Sequence, residues 1–299
     1  MPLTPPPLIR NALYGLLMGG ADIIPGVSGG TMALIVGVYE QLVAAISTGV
    51  SMGLALLRLD LEAVRRHWAA VPWGFVLPLG FGILGAVKVG ALVLPDLMAT
   101  YPAHMRGLFL GLVGASLFIP ALRIRRLTAL RAALGVVCAG AAFMLTGLPV
   151  LEVDDPGLLR VFVSASVAIC AMILPGISGA FLLEVLGIYT PTLEALNALD
   201  GPYVLAFAAG AAVGLGGFAK GLDWLLEHRH DATMAALVGL IAGALRALWP
   251  YMGPGRSLQL PGPEAPVLSV FALSVVGFAA VFALLWWGRR SAETAASAP

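Results

Sequence analysis

"ADIIPGVSGGTMALIVGVY", Ala21 to Tyr39, interrupts a long apolar run with an aspartate, a Pro-Gly and a Ser-Gly-Gly. The interruption occurs twice. Ala171 to Tyr189 reads "AMILPGISGAFLLEVLGIY", with Pro-Gly, Ser-Gly, Gly and Tyr at the same relative positions. Pro25 has no N–H and disfavours helix in the residue before it. Gly26, Gly29 and Gly30 accept backbone angles that other residues resist. Together they predict a helix that breaks and turns. Unpaired backbone amides in hydrocarbon are costly, so such a break survives only when buried in protein or beside a wet cavity.

The surroundings are hydrocarbon-like. Of 299 residues, 60% are hydrophobic and 11% charged, with a mean hydropathy of +0.95. A soluble domain carries about 25% charged residues, so the composition predicts an all-α polytopic membrane protein. The net charge of +1 gives no basis for binding nucleic acid. Cys138 and Cys170 lie in apolar runs and read as packing residues rather than a disulfide or metal ligands. His228 and His230 flank Arg229 in a short loop without the spacing of a metal site. The start, "MPLTPPPLIR", lacks the basic n-region and cleavage site of a signal peptide and is expected to stay on the chain.

Two apolar segments, about 10–50 and 158–200, are twice the length of a single crossing, and each has the motif near its middle. Each could cross once or return as a re-entrant hairpin. Arginine placement favours hairpins, because short cytoplasmic loops collect Lys and Arg. With hairpins and a cytoplasmic N-terminus, Arg10, Arg58, Arg65, Arg66, Arg123, Arg125, Arg126, Arg131, Arg229, Arg289 and Arg290 all face the cytoplasm. The outer side keeps "LEVDDPG" and "GPGRSLQLPGPEAP", with Arg106, Arg160, Arg246 and Arg256 the only basic residues near it. Single crossings would move the Arg58–Arg66 and Arg123–Arg131 loops outside.

The similarity continues past the motifs. "GILGAVK" ends at Lys88 and "GLGGFAK" at Lys220, and Met105 of "HMRGLFLGLVGASL" matches Met234 of "TMAALVGLIAGAL". The expected organisation is one membrane domain of two repeats. Residues 1–150 hold a hairpin at about 10–50 and spans at about 69–95, 103–120 and 129–149. Residues 151–299 hold a hairpin at about 158–200 and spans at about 202–225, 231–250 and 266–288. Three spans per half is an odd number, so the second repeat is inverted. Inverted repeats with broken helices meeting near the midplane are a transporter architecture; a duplication kept for packing alone is the other reading.

A helix beginning near Ser28 would aim its N-terminal N–H groups at the break, which favours an anion. Ser28, Thr31 and Ser178 add hydroxyls. Lys88 and Lys220 lie inside spans at equivalent places and are candidates to pair with an anionic ligand; the alternative is that each snorkels to an interface. Asp22, Glu40 and Glu184 are carboxylates in the hairpins, able to take protons, cations or the lysines, with a plain ion pair an equal role for Glu40. Tyr39 and Tyr189 read as packing or interface residues. No cofactor and no metal is expected, and a coupling ion, proton or sodium, stays open.

At these residues a resemblance can be stated. "GGADIIPGVSGGTMALIVGVYE" and "ILPGISGAFLLEVLGIY" resemble the two signature segments of the PopT-type undecaprenyl-phosphate translocases, and the likeness covers essentially the whole chain. It implies a bacterial cytoplasmic-membrane flippase with both termini cytoplasmic. Such a protein returns the polyprenyl carrier phosphate from the outer to the inner leaflet for cell-wall synthesis and meets membrane lipids but no nucleic acid. The family's motifs carry over onto Pro25, Gly26, Ser28, Gly29, Gly30 and Thr31, and onto Pro175, Gly176, Ser178 and Gly179. The second motif ends "GIYT" where the first ends "GVYE", so Thr190 stands opposite Glu40. Two alternatives remain. One is an ion-coupled carrier of a small soluble anion, which would use the same site. The other is a polyprenyl-diphosphate phosphatase, whose motif has an arginine after the serine where Gly29 and Gly179 stand here, and which needs a Glu pair that is missing.

Overall fold

Asp60, Thr128 and Asp200 each open a helix by accepting the backbone N–H three residues on: Ala63 at 2.9 Å, Arg131 at 3.4 Å and Tyr203 at 3.2 Å. Such caps satisfy amides that a helix start leaves without partners. The computed structural model describes residues 7–22, 28–151 and 153–296. Pro25 and Gly26 of the first motif lie outside the described residues, as do the arginine side chains of 289 and 290. The regular elements among the described residues are all helices, with a single antiparallel bridge between Met252 and Leu258.

In chain order the helices are α1 (Pro7–Asp22), α2 (Gly29–Ile35), α3 (Tyr39–Leu57), α4 (Leu61–Ala70), α5 (Trp73–Thr100), α6 (Pro102–Ser116), α7 (Phe118–Arg123) and α8 (Ala129–Thr146). They continue as α9 (Leu158–Ile173), α10 (Gly179–Val185), α11 (Tyr189–Ala198), α12 (Gly201–His228), α13 (His230–Ala244) and α14 (Val267–Ala296). Among the described residues, six stretches are long and apolar enough to cross a bilayer: Tyr39–Leu57, Trp73–Gly90, Pro102–Arg123, Ala129–Thr146, Gly201–His228 and His230–Leu248. The chain is a multi-pass membrane protein. Large apolar side chains such as Leu92, Val136, Leu205 and Leu268 stand exposed on the outside, as a lipid-facing surface requires.

Two features were not expected from sequence. The segment around Arg65 and Arg66 is a helix, α4, with no buried residue. Its Trp68 ring lies 4.4 Å from that of Trp73, and the Trp73 Nε1–H donates to the Trp68 carbonyl at 2.9 Å. Paired tryptophans beside arginines suit a helix lying at the headgroup level. In addition, each broken segment has a second break. Gly37 and Gly187 have φ of 80° and 76°, which cuts α2 and α10 to seven residues each. The axes of α10 and α11 differ by 101°. After its second break α3 is 19 residues long, enough to cross by itself, whereas α11 has 10.

Four helix pairs make the close packing: α1 with α5, α9 with α12, α6 with α14 and α8 with α13. Glycine permits each. A Cβ on Gly15 would overlap the Leu79 carbonyl, one on Gly210 that of Phe162, one on Gly111 that of Ser274, and one on Gly243 that of Ala139. Small residues let helix backbones approach in lipid, where no hydrophobic force drives them together. The first two pairs form within residues 1–150 and 151–299 respectively. The last two pairs run across that boundary, so the two stretches interlock around one core that includes Leu34, Tyr39, Val113, Ile173, Leu222 and Leu237.

Candidate functional site: the junction of the broken hairpins

Ser28 and Ser178 both have extended backbone and both cap the short helix that follows. The Ser28 hydroxyl oxygen accepts the Gly30 N–H at 3.1 Å, and that of Ser178 accepts the Phe181 N–H at 3.5 Å. The two motifs also bind each other. The Ser28 hydroxyl donates to the Leu174 carbonyl at 3.3 Å and lies 3.4 Å from that of Met172. In return the Gly176 N–H donates to Thr31 Oγ1 at 2.9 Å. The carbonyl end of α9, with its partial negative charge, therefore meets the amide start of α2, with its partial positive charge. Among the described residues, groups beside each break supply partners to the other, which helps broken backbone persist in this apolar core.

The junction is tight. Ser28 and Thr31 are 1% and 0% exposed. A Cβ on Gly30 would sit 2.7 Å from the Ile173 carbonyl, and Gly176, at φ 90°, lies with its Cα face against Ile241. Asp22 Oδ1 accepts the Gly29 N–H at 2.6 Å, so the protein's own carboxylate stands at the start of α2. At the equivalent place before α10 the side chain is Met172, packed against Gly179. The two motifs share their backbone path but differ in charge.

The other candidates lie elsewhere. Glu40 pairs with Arg123 at 2.9 Å and lies 3.7 Å from His230 Nε2. Glu184 pairs with Arg256 at 2.9 Å, and that guanidinium also covers the Phe181 ring at 4.2 Å. Neither arginine was singled out as a partner from sequence, because both reach these glutamates only through tertiary contact. Glu184 also lines a cavity of about 680 Å³ with Asp154, Tyr189, Thr190 and Glu194. Lys88 and Lys220 are exposed on α5 and α12, with no hydrogen bond or ion pair to the motifs among the described residues. Their exposure matches snorkelling lysines. Lys88→Met and Lys220→Met are expected to flip lipid within about twofold of wild type, as exposed substitutions away from packed groups generally do. Lost transport at matched expression would return the lysines to the headgroup path.

The motif tyrosines differ as well. Tyr189 is partly exposed, whereas Tyr39 is 1% exposed and its hydroxyl has no hydrogen-bond partner among the described residues. Burying an unpaired hydroxyl costs about 1–3 kcal/mol. Tyr39→Phe is therefore expected to leave the fold as stable or more so, read as the melting temperature in detergent. A large loss of stability would mean that the hydroxyl has a partner.

With this geometry in place, comparison with known proteins is informative. The sequence model of the undecaprenyl phosphate translocase-like family matches residues 18–258, a range that takes in both motifs. The chain belongs to this family. It is 35% identical over 247 residues to a polyprenyl-phosphate transporter of Vibrio cholerae serotype O1, covering 81% of this chain and 78% of that one. It is 28% identical over 257 residues to a polyprenyl-phosphate transporter of Staphylococcus aureus, covering 80% and 86%. No solved structure matches it.

Proposed function

We propose that this family member is a flippase, not an enzyme, and that it returns undecaprenyl phosphate from the outer to the inner leaflet of the bacterial cytoplasmic membrane. The observation that carries the reading is that the family match spans both broken hairpins and that the two hairpins interlock, Thr31 with Gly176 and Ser28 with Leu174. In this reading the chain is a pair of inverted repeats, residues 1–150 and 151–299, with both termini and the Arg58–Arg66 and Arg123–Arg131 regions cytoplasmic. The equivalent pairing of α1 with α5 and of α9 with α12 supports it.

A phosphate cannot cross hydrocarbon alone, because an isolated buried ion is far costlier than a few hydrogen bonds return. The junction offers it amides and hydroxyls at depth. Asp22 holds the Gly29 amide in the closed state; headgroup arrival displaces that carboxylate as the motifs part, and Ser28, Gly29, Gly30, Thr31, Gly176, Ser178 and Gly179 then line the passage. The polyprenyl tail stays in lipid, as alternating access around a fixed site allows.

The test is a leaflet-resolved assay in proteoliposomes with labelled undecaprenyl phosphate. Transbilayer movement should accelerate over protein-free vesicles, and inorganic phosphate should not compete. Movement no faster than in empty vesicles, or uptake of soluble phosphate instead, would overturn the proposal.

A further inference from the structure

A groove runs along α12 and α13 that nothing in the transport reading above uses. Its walls are apolar: Leu134 of α8, Gly217, Phe218 and Gly221 of α12, and Ala236 and Leu240 of α13, around about 450 Å³. The one hydroxyl on its lining, that of Thr233, is turned onto the Leu225 and Arg229 carbonyls, 3.1 Å from each. Leu134 and Ala232 also line a second cavity of about 850 Å³, so the two lie side by side. The second cavity is basic. Arg125, Arg131 and Arg229 surround it, against the carboxylates of Asp231 and Glu227, with His228 and His230 on the rim.

The charges there are not all spent. Asp231 takes Arg131 at 2.7 Å and the backbone amides of Arg125 and Arg126. Glu227 lies exposed, 4.0 Å from His228. The side chains of Arg125 and Arg229 have no acidic partner among the described residues. At its other end the groove reaches Leu174, whose carbonyl takes the Ser28 hydroxyl. It therefore joins a basic mouth to the motif junction.

The glycines of α12 sharpen the point. Gly210 and Gly214 lie against the Phe162 and Ser166 carbonyls and are required for packing on α9. Gly217 and Gly221, further along the same helix, face open space: a Cβ on either would meet nothing within 4 Å. Helix packing does not account for them, yet glycine weakens a helix relative to alanine. Open-facing glycines occur elsewhere too, Gly80 among them, but these two line the groove, where their missing side chains leave a smooth floor for a branched apolar chain.

We infer that this groove and its basic mouth hold a polyprenyl monophosphate, with the phosphate between Arg125 and Arg229 and the first isoprene units along Gly217 and Gly221. The inference rests on the flippase reading and places this site at the arginine-rich end, where the lipid is received on the inner-leaflet side. Arginine suits a phosphate because its planar fork can donate two hydrogen bonds. A single apolar chain fits a groove that is open on one side, and the rest of the tail trails into the bilayer.

The test uses full-length protein in detergent and a diazirine-bearing farnesyl phosphate, a short polyprenyl monophosphate. Photolabel should map to peptides of α12 and α13. Unlabelled farnesyl phosphate should compete, and farnesol, inorganic phosphate and phosphatidylglycerol should compete poorly. Gly221→Leu and Gly217→Leu fill open space rather than clash with backbone. Each should weaken competition by farnesyl phosphate by about tenfold or more while the melting temperature holds. Arg125→Gln with Arg229→Gln should weaken farnesyl phosphate by a similar factor but leave farnesol unchanged. Label confined to other helices, equal competition by phosphatidylglycerol, or leucine variants that bind as wild type would each overturn the inference. Wild-type protein that flips undecaprenyl phosphate without labelling this groove would sink the groove alone. Labelling of the groove without flipping would sink the transport reading and leave the binding site.

Discussion

Gly30→Ala is expected to abolish transport and to destabilise the protein by about 3–5 kcal/mol, from overpacking and the loss of the hydrogen bonds across the junction. One methyl group suffices because its carbon would lie 2.7 Å from the Ile173 carbonyl, a backbone atom at the end of a helix rather than a mobile side chain. For the methyl to fit, α2 must move away from α9. That movement breaks the Ser28 bond to Leu174 and the Gly176 bond to Thr31 together. Gly80→Ala is the matched control. A Cβ there meets nothing within 4 Å, so the change should be neutral or gain up to about 1 kcal/mol from helix propensity. Melting in detergent and lipid flipping in proteoliposomes read both variants. A Gly30→Ala protein that melts and transports like wild type would show that the two motifs do not need this contact.

Thr31→Val should have the second-largest effect, a loss of about 1–3 kcal/mol, because it keeps the side-chain shape and removes only the oxygen that accepts the Gly176 N–H. The orphaned amide has little room to find another acceptor. Gly176 is held at φ 90° against Ile241, and Thr31 itself is 0% exposed. Flipping should fall by about tenfold or more if the junction is where the motifs engage the headgroup. Ser28→Ala removes both the cap on the Gly30 N–H and a hydroxyl shared between two carbonyls at 3.3 and 3.4 Å, and should cost about 1–2 kcal/mol. The double substitution tests whether the two bonds act together: a coupling of about 0.5–3 kcal/mol is expected for side chains in one network. Strict additivity with normal flipping would separate the junction from the transport step.

Composition and pattern alone determined that this chain is a helical membrane protein, since 11% charged residues cannot clothe a soluble fold of this size. The paired motifs, 150 residues apart, also marked where the helices break, because Pro and Gly act on their own backbone and need no distant partner. The second break at Gly37 and Gly187 was not read from sequence, although a local signal for it is present in the "GVY" and "GIY" that close the motifs. What the hydroxyls bind was beyond such reading. Thr31 meets Gly176 across 145 residues of chain. Whether a serine points to a ligand or to another backbone depends on which helix end packs beside it. The same holds for charge. Glu40 and Glu184 read from sequence as possible coupling groups, with an ion pair an equal role for Glu40, and their arginines, Arg123 at the end of α7 and Arg256 in the segment before α14, lie 83 and 72 residues away. Lys88 and Lys220 sit at equivalent places in apolar runs, but the rotation of α5 and α12 about their axes leaves both outside. That rotation is set by which glycine face packs: Gly82 against the Ala12 carbonyl and Gly210 against that of Phe162. Local sequence determines where a backbone must bend, and only the close approach of helices decides which way each polar group faces.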